Sequence, residues 1–395
     1  MDKLIYMDNA ATTSTAPEVV SAMLPFFTEY YGNPSSVYNF AQKSKMAIED
    51  AREIIADSIG AAKSNEIYFT GGGSESDNWA LKSAAFGLRN KGNHIITTKI
   101  EHHAILNTCA YLEKNGFEIT YLDVDSEGFV SLEDVENAIT EKTILISVMF
   151  ANNEIGTIEP VCEIGEIAHK HGILFHTDAV QAMCHVPINV TEMNIDLLSA
   201  SAHKFHGPKG VGFMYMKNSA KLEPFIHGGA QERARRAGTS NVPGIVGMGQ
   251  AGKLALSTLD KDTHTIINMH NYIVDRILGE IPDVTFDGPC IDANAVSAGS
   301  PAGSIKRLPS NMHFCFKDVS GDSLLIMLDM NGICASSGSA CAAGSIDPSH
   351  VLLAIGRSKG ETKGALRLSI DKDLTKEDAD YAIDALKAAV ARLRR

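Results

Sequence analysis

The chain has 395 residues, of which 44% are hydrophobic and 21% are charged. These proportions are ordinary for a folded globular protein, and they exclude a disordered tail protein, a collagen-like repeat and a small disulfide-rich scaffold. The 35 basic and 48 acidic residues give a net charge of −13. This charge argues against binding along the phosphate backbone of nucleic acids, because such binders usually carry a basic excess.

Short apolar runs alternate with helical patterns through the first two thirds of the chain. The predicted strands are residues 66–70, 94–98, 118–122, 143–150, 173–177, 195–200 and 211–216, and the predicted helices are residues 35–59, 78–87, 104–115, 132–139 and 162–171. This alternation predicts an α/β fold with a mostly parallel sheet. Further on, a Gly- and Ser-rich stretch (287–309), a late strand (365–370) and a final helix capped by Thr375 predict a smaller second domain.

The cysteine pattern indicates a reducing compartment, and the hydrophobic pattern argues against a membrane span and a signal peptide. The seven cysteines include no Cys-x-x-Cys pair, which disfavours a zinc ribbon or a thioredoxin-type site. Free thiols are the simpler interpretation of an odd cysteine count. No apolar run approaches the roughly 18 residues of a membrane span, and Asp8 follows Met1 too closely for a signal-peptide core. We expect a cytoplasmic protein with no membrane or nucleic-acid partner.

Polar features lie just after three predicted strands. The Gly-Gly-Gly-Ser run at 71–74 lies between a predicted strand and the helix predicted to start near Asn78, and bare backbone at a helix N-terminus favours an anion such as phosphate. Asp178 can face a cationic ligand group or simply cap the next helix. Lys204, in a loop between two strands, becomes a nucleophile toward a carbonyl if its pKa falls from the ordinary value of about 10.4. Lys209 of the same loop is the internal comparison.

Cys341 differs from the other cysteines in its surroundings. It lies in a run of very small residues, 335–345. Such a run cannot anchor itself by burial, so we expect a mobile loop that carries an accessible thiol. Cys334 ends an apolar segment and is interpreted as structural, which is the default for a buried cysteine.

Several of these residues point to a single cofactor. In a parallel sheet the carboxyl ends of the strands meet at one edge. The glycine run, His102, Asn153, Asp178 and Lys204 all follow predicted strands, so this edge combines an anion cradle, a carboxylate and an amine. These groups match the phosphate, the pyridinium nitrogen and the aldehyde of pyridoxal 5′-phosphate.

On these residues the chain resembles the cysteine desulfurases, the NifS/IscS group within class V of the fold-type I pyridoxal-phosphate enzymes. The matching segments are residues 6–13, 32–36, 71–78, 101–102, 152–156, 176–179, 203–210, 236–239, 336–341 and Arg367. The run Ser-Ser-Gly-Ser-Ala-Cys at 336–341 is specific for the desulfurases of this class. The chain departs from the usual pattern at Tyr38, Ala41, Ala202 and Ala230.

The resemblance implies a domain division and a set of site residues, with no metal. A large cofactor-binding domain would span 14–258, and a small α+β domain formed by 1–13 and 259–395 would carry Cys341. Lys204, Cys341 and His102 would be catalytic, and Asn153 and Arg367 would bind the substrate carboxylate. The residues implied to hold pyridoxal 5′-phosphate are Gly73, Ser74, His102, Asn153, Asp178, Gln181, Ser201, His203, Lys204 and, from the second subunit of a homodimer, Thr239.

The implied reaction removes sulfur from L-cysteine. Lys204 would move the Cα proton, Asp178 would keep the ring nitrogen protonated, and the thiolate of Cys341 would attack the substrate sulfur. The products would be L-alanine and a persulfide, for transfer to a protein acceptor such as an iron–sulfur scaffold or a sulfur carrier. A selenocysteine lyase, another class V aminotransferase and a non-catalytic sulfur-relay subunit remain as alternatives.

Overall fold

The structure, a computed structural model, describes residues 4–220, 222–291, 305–337 and 348–395. The strands in chain order are β1 (Ile5–Tyr6), β2 (Ile67–Thr70), β3 (His94–Thr98), β4 (Glu118–Leu122), β5 (Thr143–Ser147), β6 (Leu174–Asp178), β7 (Leu197–Ser201), β8 (Gly212–Met216), β9 (Val284–Asp287), β10 (Asn311–Phe316), β11 (Ile333–Cys334) and β12 (Ala365–Ser369). The helices are α1 (Pro17–Met23), α2 (Pro25–Thr28), α3 (Asn39–Ser58), α4 (Gly73–Gly87), α5 (His103–Glu113), α6 (Leu132–Asn137), α7 (Val161–Lys170), α8 (Gln231–Ala234), α9 (Val242–Glu280), α10 (Gly321–Asp329), α11 (His350–Ala354) and α12 (Lys376–Leu393).

The main sheet has seven strands in the order β2-β8-β7-β6-β5-β3-β4. The strands β4, β3, β5, β6 and β7 pair in parallel, whereas β8 runs antiparallel to both β7 and β2. The prediction of a mostly parallel sheet is confirmed. Because β2 points in the same direction as the parallel strands, its carboxyl end lies at the same edge of the sheet as theirs.

The central strands are apolar on both faces because helices cover the sheet from both sides. Ile95 and Leu145 pack in one core with Trp79 of α4, while their chain neighbours Ile96 and Ile146 pack in the opposite core with α3 and α9. Successive strand residues point to opposite faces, so two adjacent apolar residues supply both cores. This explains why these strands are continuous apolar runs in the sequence.

A further hydrophobic core lies at the C-terminal end of α9. It is built on β1, on helices α10 and α12, and on the antiparallel sheet β12-β10-β9. Ile277 of α9 packs in this core, whereas Met248 of the same helix packs against the main sheet. Helix α9 therefore continues through residue 258, the boundary that the resemblance implies for the large domain. We propose that α9 connects the two domains and that the N-terminal strand, through Ile5, belongs to the small one.

The observed starts of two helices can be compared with the predicted ones. Helix α4 begins at Gly73 and not at the predicted Asn78, and its N-cap Gly72 has a φ of 149° that favours glycine. Helix α12 begins at the predicted cap, where the backbone N–H of Asp378 donates to Thr375 Oγ1 at 3.1 Å. Within the described ranges, every helix is either too short or too polar to cross a lipid bilayer.

Candidate active site

A cavity of about 390 Å³, here called the active cavity, lies at the edge where the parallel strands end. Ten predicted site residues line it: Gly73, Ser74, His102, Asn153, Asp178, Gln181, Ser201, His203, Lys204 and Arg367. Thr239 is exposed and does not belong to this lining. Cys341 lies outside the described residues.

The first turn of α4 forms an anion cradle beside this cavity. A Cβ atom at Gly73 would come within 2.5 Å of Val180 Cγ2, so this position admits only bare backbone. The N–H groups of a first helical turn have no partners within the helix, and the helix dipole adds positive potential there. Ser74 and Ser201 border the same depression. The arrangement suits a phosphate group.

His203 and Lys209 complete the wall of this cradle. Burial, Lys204 and Lys209 lower the pKa of His203 to about 4, so its imidazole is neutral. His203 Nδ1 lies 3.1 Å from Thr12 Oγ1. Lys209 lines the depression, and its Nζ donates to the carbonyl oxygen of Thr13 at 3.2 Å. Lys209 was not predicted as a site residue, although its Gly-Pro-Lys-Gly setting places it in the same glycine-rich loop as Lys204.

Lys204 is held at the wall of the active cavity by the N-terminal segment. It ends a single 3₁₀ turn, Ala202–Lys204, directly after β7. Its Nζ donates to the carbonyl oxygen of Ala10 at 2.6 Å and to that of Ala11 at 2.8 Å. Gln181 Nε2 donates to the same Ala10 oxygen at 3.0 Å. These carbonyl groups fix the direction in which the amine enters the cavity.

Asp178 supplies a buried carboxylate at the end of β6. Its side chain is 6% exposed, and its Oδ1 accepts the backbone N–H of Val180 at 2.9 Å. Burial raises the pKa of Asp178, whereas the charges of His102 and Lys204 act in the opposite direction. The carboxylate is therefore costly to bury without a cation, and a cationic ring nitrogen in the cavity is a matching partner.

His102 is oriented by the helix that it caps. Its Nδ1 accepts the backbone N–H of Ala104 at 3.1 Å, at the N-terminus of α5. An acceptor at Nδ1 leaves the proton of the neutral imidazole on Nε2. The ring is thus held in one tautomer at the wall of the active cavity.

Arg367 brings the small domain into the active cavity. It is 2% exposed, its Nη1 donates to the Asn153 carbonyl oxygen at 2.8 Å, and its Nη2 lies 2.9 Å from Asp8 Oδ1. A planar guanidinium group suits the recognition of a carboxylate. Asp8 was not predicted as a site residue, and nothing in its sequence spacing indicates that it pairs with Arg367.

Two buried acids near Asp178 were not assigned roles from the sequence. Asp77 of α4 lines the active cavity and is 1% exposed, and Glu101 is fully buried. Glu101 Oε1 accepts the Thr98 hydroxyl at 2.9 Å and the Met149 N–H at 2.8 Å. Burial raises the pKa of both carboxyl groups well above the usual range. Both lie in segments that carry the resemblance, 71–78 and 101–102, but nothing in the sequence indicates that they are buried beside Asp178.

Comparisons with known proteins identify the family of the chain. The family model "Aminotransferase class-V" matches residues 5–382. Cysteine desulfurase IscS of Clostridium botulinum is 54% identical over 394 residues, which cover 100% of this chain and 96% of that protein.

Two solved structures are also similar to the chain. A NifS-like protein is 35% identical, with a TM-score of 0.89 over 99% of this chain and 100% of the other. SspA in complex with cysteine is 38% identical, with a TM-score of 0.78 over 93% of this chain and 99% of the other. The chain belongs to the class-V aminotransferase family and, within it, to the cysteine desulfurases.

Proposed function

We propose that the chain is a pyridoxal-phosphate-dependent cysteine desulfurase that transfers the sulfur of L-cysteine to Cys341. The observation that carries this proposal is that one cavity combines the Lys204 amine, the buried Asp178 carboxylate and the α4 anion cradle. The relative from Clostridium botulinum is named a cysteine desulfurase, and SspA is described in complex with cysteine. Both names support L-cysteine as the substrate.

The residues present fit the cofactor. The bare backbone at Gly73 leaves room for a phosphate group against the N-terminus of α4. Asp178 offers the buried carboxylate that a protonated ring nitrogen needs, and Lys204 offers the amine that bonds to an aldehyde. When bound, pyridoxal phosphate supplies an electron sink that stabilises negative charge at the substrate Cα.

Side chains of the protein bind the substrate and transfer its protons. Arg367 binds the substrate carboxylate through its planar fork, and Asn153 lies at the same wall. Lys204 Nζ, directed by the Ala10 and Ala11 carbonyl groups, takes the Cα proton and returns it. His102, whose neutral form carries its proton on Nε2, can donate that proton in the active cavity.

The sulfur step is assigned to Cys341. Its thiolate attacks the substrate sulfur, a new S–S bond forms, and the Cβ–S bond breaks. The electron pair of the broken bond returns to the carbon skeleton, which takes up protons and leaves as L-alanine. The persulfide then passes to a protein acceptor such as an iron–sulfur scaffold or a sulfur carrier.

The described residues on both sides of Cys341 support this assignment. The backbone of Ser336 pairs with that of Arg367, and His350 lines the active cavity. Cys341 follows Ser336 by five residues, and five residues span at most about 17 Å. We propose that this short connection lets the Cys341 thiol approach the substrate that Arg367 binds.

The exposed position of Thr239 supports a homodimer in which each subunit completes the cradle of the other. The segment between the end of α1 and the start of α3 offers an apolar surface for such a contact, because large side chains there are exposed. These are Leu24 (58%), Phe27 (59%), Tyr31 (70%), Val37 (95%) and Tyr38 (53%). We expect that a charged residue in place of Val37 shifts the protein toward monomers in analytical ultracentrifugation and weakens cofactor binding.

The decisive experiment supplies L-cysteine to the purified protein with pyridoxal phosphate. Alanine is measured together with the mass of the peptide that contains residue 341, which should gain one sulfur atom. The Cys341→Ser variant should bind the cofactor yet form no alanine, whereas Cys334→Ser should behave as the wild type. Amino-group transfer with no persulfide on either cysteine would contradict the proposal and favour an aminotransferase.

A further inference from the structure

Asp77 is a buried acid that the proposed reaction does not use. It lies on α4 at the wall of the active cavity, beside Asp178. Carboxylate oxygens of both residues and a ring nitrogen of His102 lie within 4.8 Å of one another. Two carboxylates at such a separation repel each other strongly where water is excluded. One of the two is therefore expected to hold a proton.

The Ser199 hydroxyl and the His176 imidazole beside Asp77 are uncharged. The Ser199 hydroxyl donates to its carboxyl group, but no donor in the described part of the chain lies within hydrogen-bond distance of Asp77 Oδ1. His176 Nε2 is 3.8 Å from that oxygen. Both ring nitrogens of His176 contact hydroxyl groups, of Ser147 at 2.9 Å and of Ser199 at 3.0 Å. Burial lowers the pKa of His176 to about 3, so the ring is neutral.

The other titratable groups packed near α4 do not favour ionisation of Asp77. Glu101 is a further buried acid, and burial raises the pKa of Cys109 on α5, so that thiol is also uncharged. Burial raises the pKa of Asp178, but the charges of His102 and Lys204 oppose this rise. Burial and Asp178 both raise the pKa of Asp77. Of the two neighbouring acids, Asp178 is thus the one that is ionised more readily.

We propose that Asp77 is a positioning residue that remains a neutral carboxylic acid in the folded protein and donates a hydrogen bond toward the ionised carboxylate of Asp178. A neutral donor there holds the Asp178 carboxylate in place and leaves its charge for the ring nitrogen. An ionised Asp77 would instead increase the proton affinity of Asp178. The donor role rests on the proposed function, whereas the protonation state of Asp77 does not.

The protonation state is tested by infrared spectroscopy of the cofactor-free protein at pH 7. The C=O stretch of a carboxylic acid is separate from the carboxylate bands, so neutral acids can be counted. Asp77→Asn should remove one such band. Glu101→Gln and Glu159→Gln are matched controls that should remove other bands, since burial raises the pKa of Glu101 and brings that of Glu159 to about 8. An unchanged acid region in Asp77→Asn would overturn the proposal.

The outcome does not depend on the folding of the Asp77 variant. If Asp77→Asn does not fold, the Glu101→Gln/Glu159→Gln double variant should still show an acid band at pH 7. Absence of that band would overturn the proposal.

A second measurement follows stability against pH. A raised pKa in the folded state means that Asp77 stabilises the protein below its unfolded value, about 3.9, and that this contribution is lost as the pH rises. Asparagine does not titrate. The melting temperature of Asp77→Asn relative to the wild type should therefore increase from pH 5 to pH 9, by several degrees. A relative melting temperature that falls over this range would overturn the proposal.

The donor role is tested through cofactor binding. Asparagine keeps a donor at this position, whereas leucine has a similar volume and no donor. Asp77→Asn should bind pyridoxal phosphate within about twofold of the wild type, and Asp77→Leu should bind it about tenfold more weakly, the effect of one hydrogen bond to a charged group. Equal affinities of the two variants would overturn the donor role. If the wild type itself bound no cofactor, the proposed function would fail while the infrared result stood.

Discussion

Two cavities of similar volume flank the loop that carries Lys204, and the pKa values of Asp178 in one and Asp371 in the other shift in opposite directions. The active cavity measures about 390 Å³, and a second one, here called the rear cavity, measures about 410 Å³. In the rear cavity the charges are paired. His206 Nε2 lies 3.2 Å from Asp371 Oδ2, and Lys372 Nζ lies 2.7 Å from Asp262 Oδ2. In the active cavity Asp77 and Asp178 lie side by side.

The pKa directions separate the two cavities. In the rear cavity the hydrogen bond with Asp371 raises the pKa of His206, and that with Asp262 raises the pKa of Lys372, so the charged forms are stabilised. In the active cavity burial raises the pKa of Asp77 and Asp178, so the charged forms are destabilised. Cavity volume alone does not indicate which of the two is the functional site. Acids in a cleft whose charged forms are destabilised by burial are typical of functional sites.

The largest effect is expected when the amine of Lys204 is removed from the active cavity. Lys204→Ala should lower alanine formation by about 10³-fold or more, because it deletes both the group that bonds to the cofactor and the group that moves the Cα proton. The visible absorbance of the lysine-bound cofactor should also disappear. Lys209→Ala is the matched control and should keep that absorbance at saturating cofactor. Retained absorbance in Lys204→Ala would place the reactive amine elsewhere.

A smaller effect is expected for the guanidinium group that reaches the active cavity from the small domain. Arg367→Lys keeps the charge but loses the planar fork, so the KM for L-cysteine should rise about 10- to 100-fold, or about 1.4–2.8 kcal/mol. The change in kcat should be smaller. Steady-state kinetics with Arg307→Lys provide the control, because Arg307 is equally buried and bonds to the Asn311 and Asp287 carbonyl groups outside the cavity. Equal KM values for both variants would exclude carboxylate binding by Arg367.

Much of the fold and of the active cavity could be predicted because both depend on local patterns. Continuous apolar runs identified the strands, and the rule that parallel strands end at one edge brought Asp178 and Lys204 together. The direction of β8 could not be predicted, since a buried strand has the same composition in either direction. The true start of α4 was missed because glycine has a low helix propensity, although Gly73 is required where Val180 packs against the helix.

The residues missed by the sequence analysis depend on packing between distant parts of the chain. Asp77 lies on a helix beside polar residues and would be exposed if nothing covered that face. It becomes a buried acid only because β6 and β7 bring Asp178 and Ser199 against α4. Likewise, Asp8 reaches Arg367 only because β1 and the small domain fold together. No spacing rule in a single sequence records such contacts.

The smallest effect is expected in the rear cavity, where the ion pair between His206 and Asp371 should act on stability. The raised pKa of His206 means that the pair stabilises the fold at acidic to neutral pH and that this contribution is lost as the pH rises through the pKa of folded His206. Although burial opposes it, the His206 hydrogen bond lowers the pKa of Asp371, so the contribution is also lost as the pH falls below about 4. Asp371→Asn should therefore lower the melting temperature by about 1–2 °C at pH 5.5 and by less at pH 9. Calorimetry with Asp373→Asn, an exposed neighbour that forms no ion pair within the described ranges, supplies the control. A loss that is as large at pH 9 as at pH 5.5 would show that the His206–Asp371 ion pair does not stabilise the fold, and the contrast between the two cavities would fail.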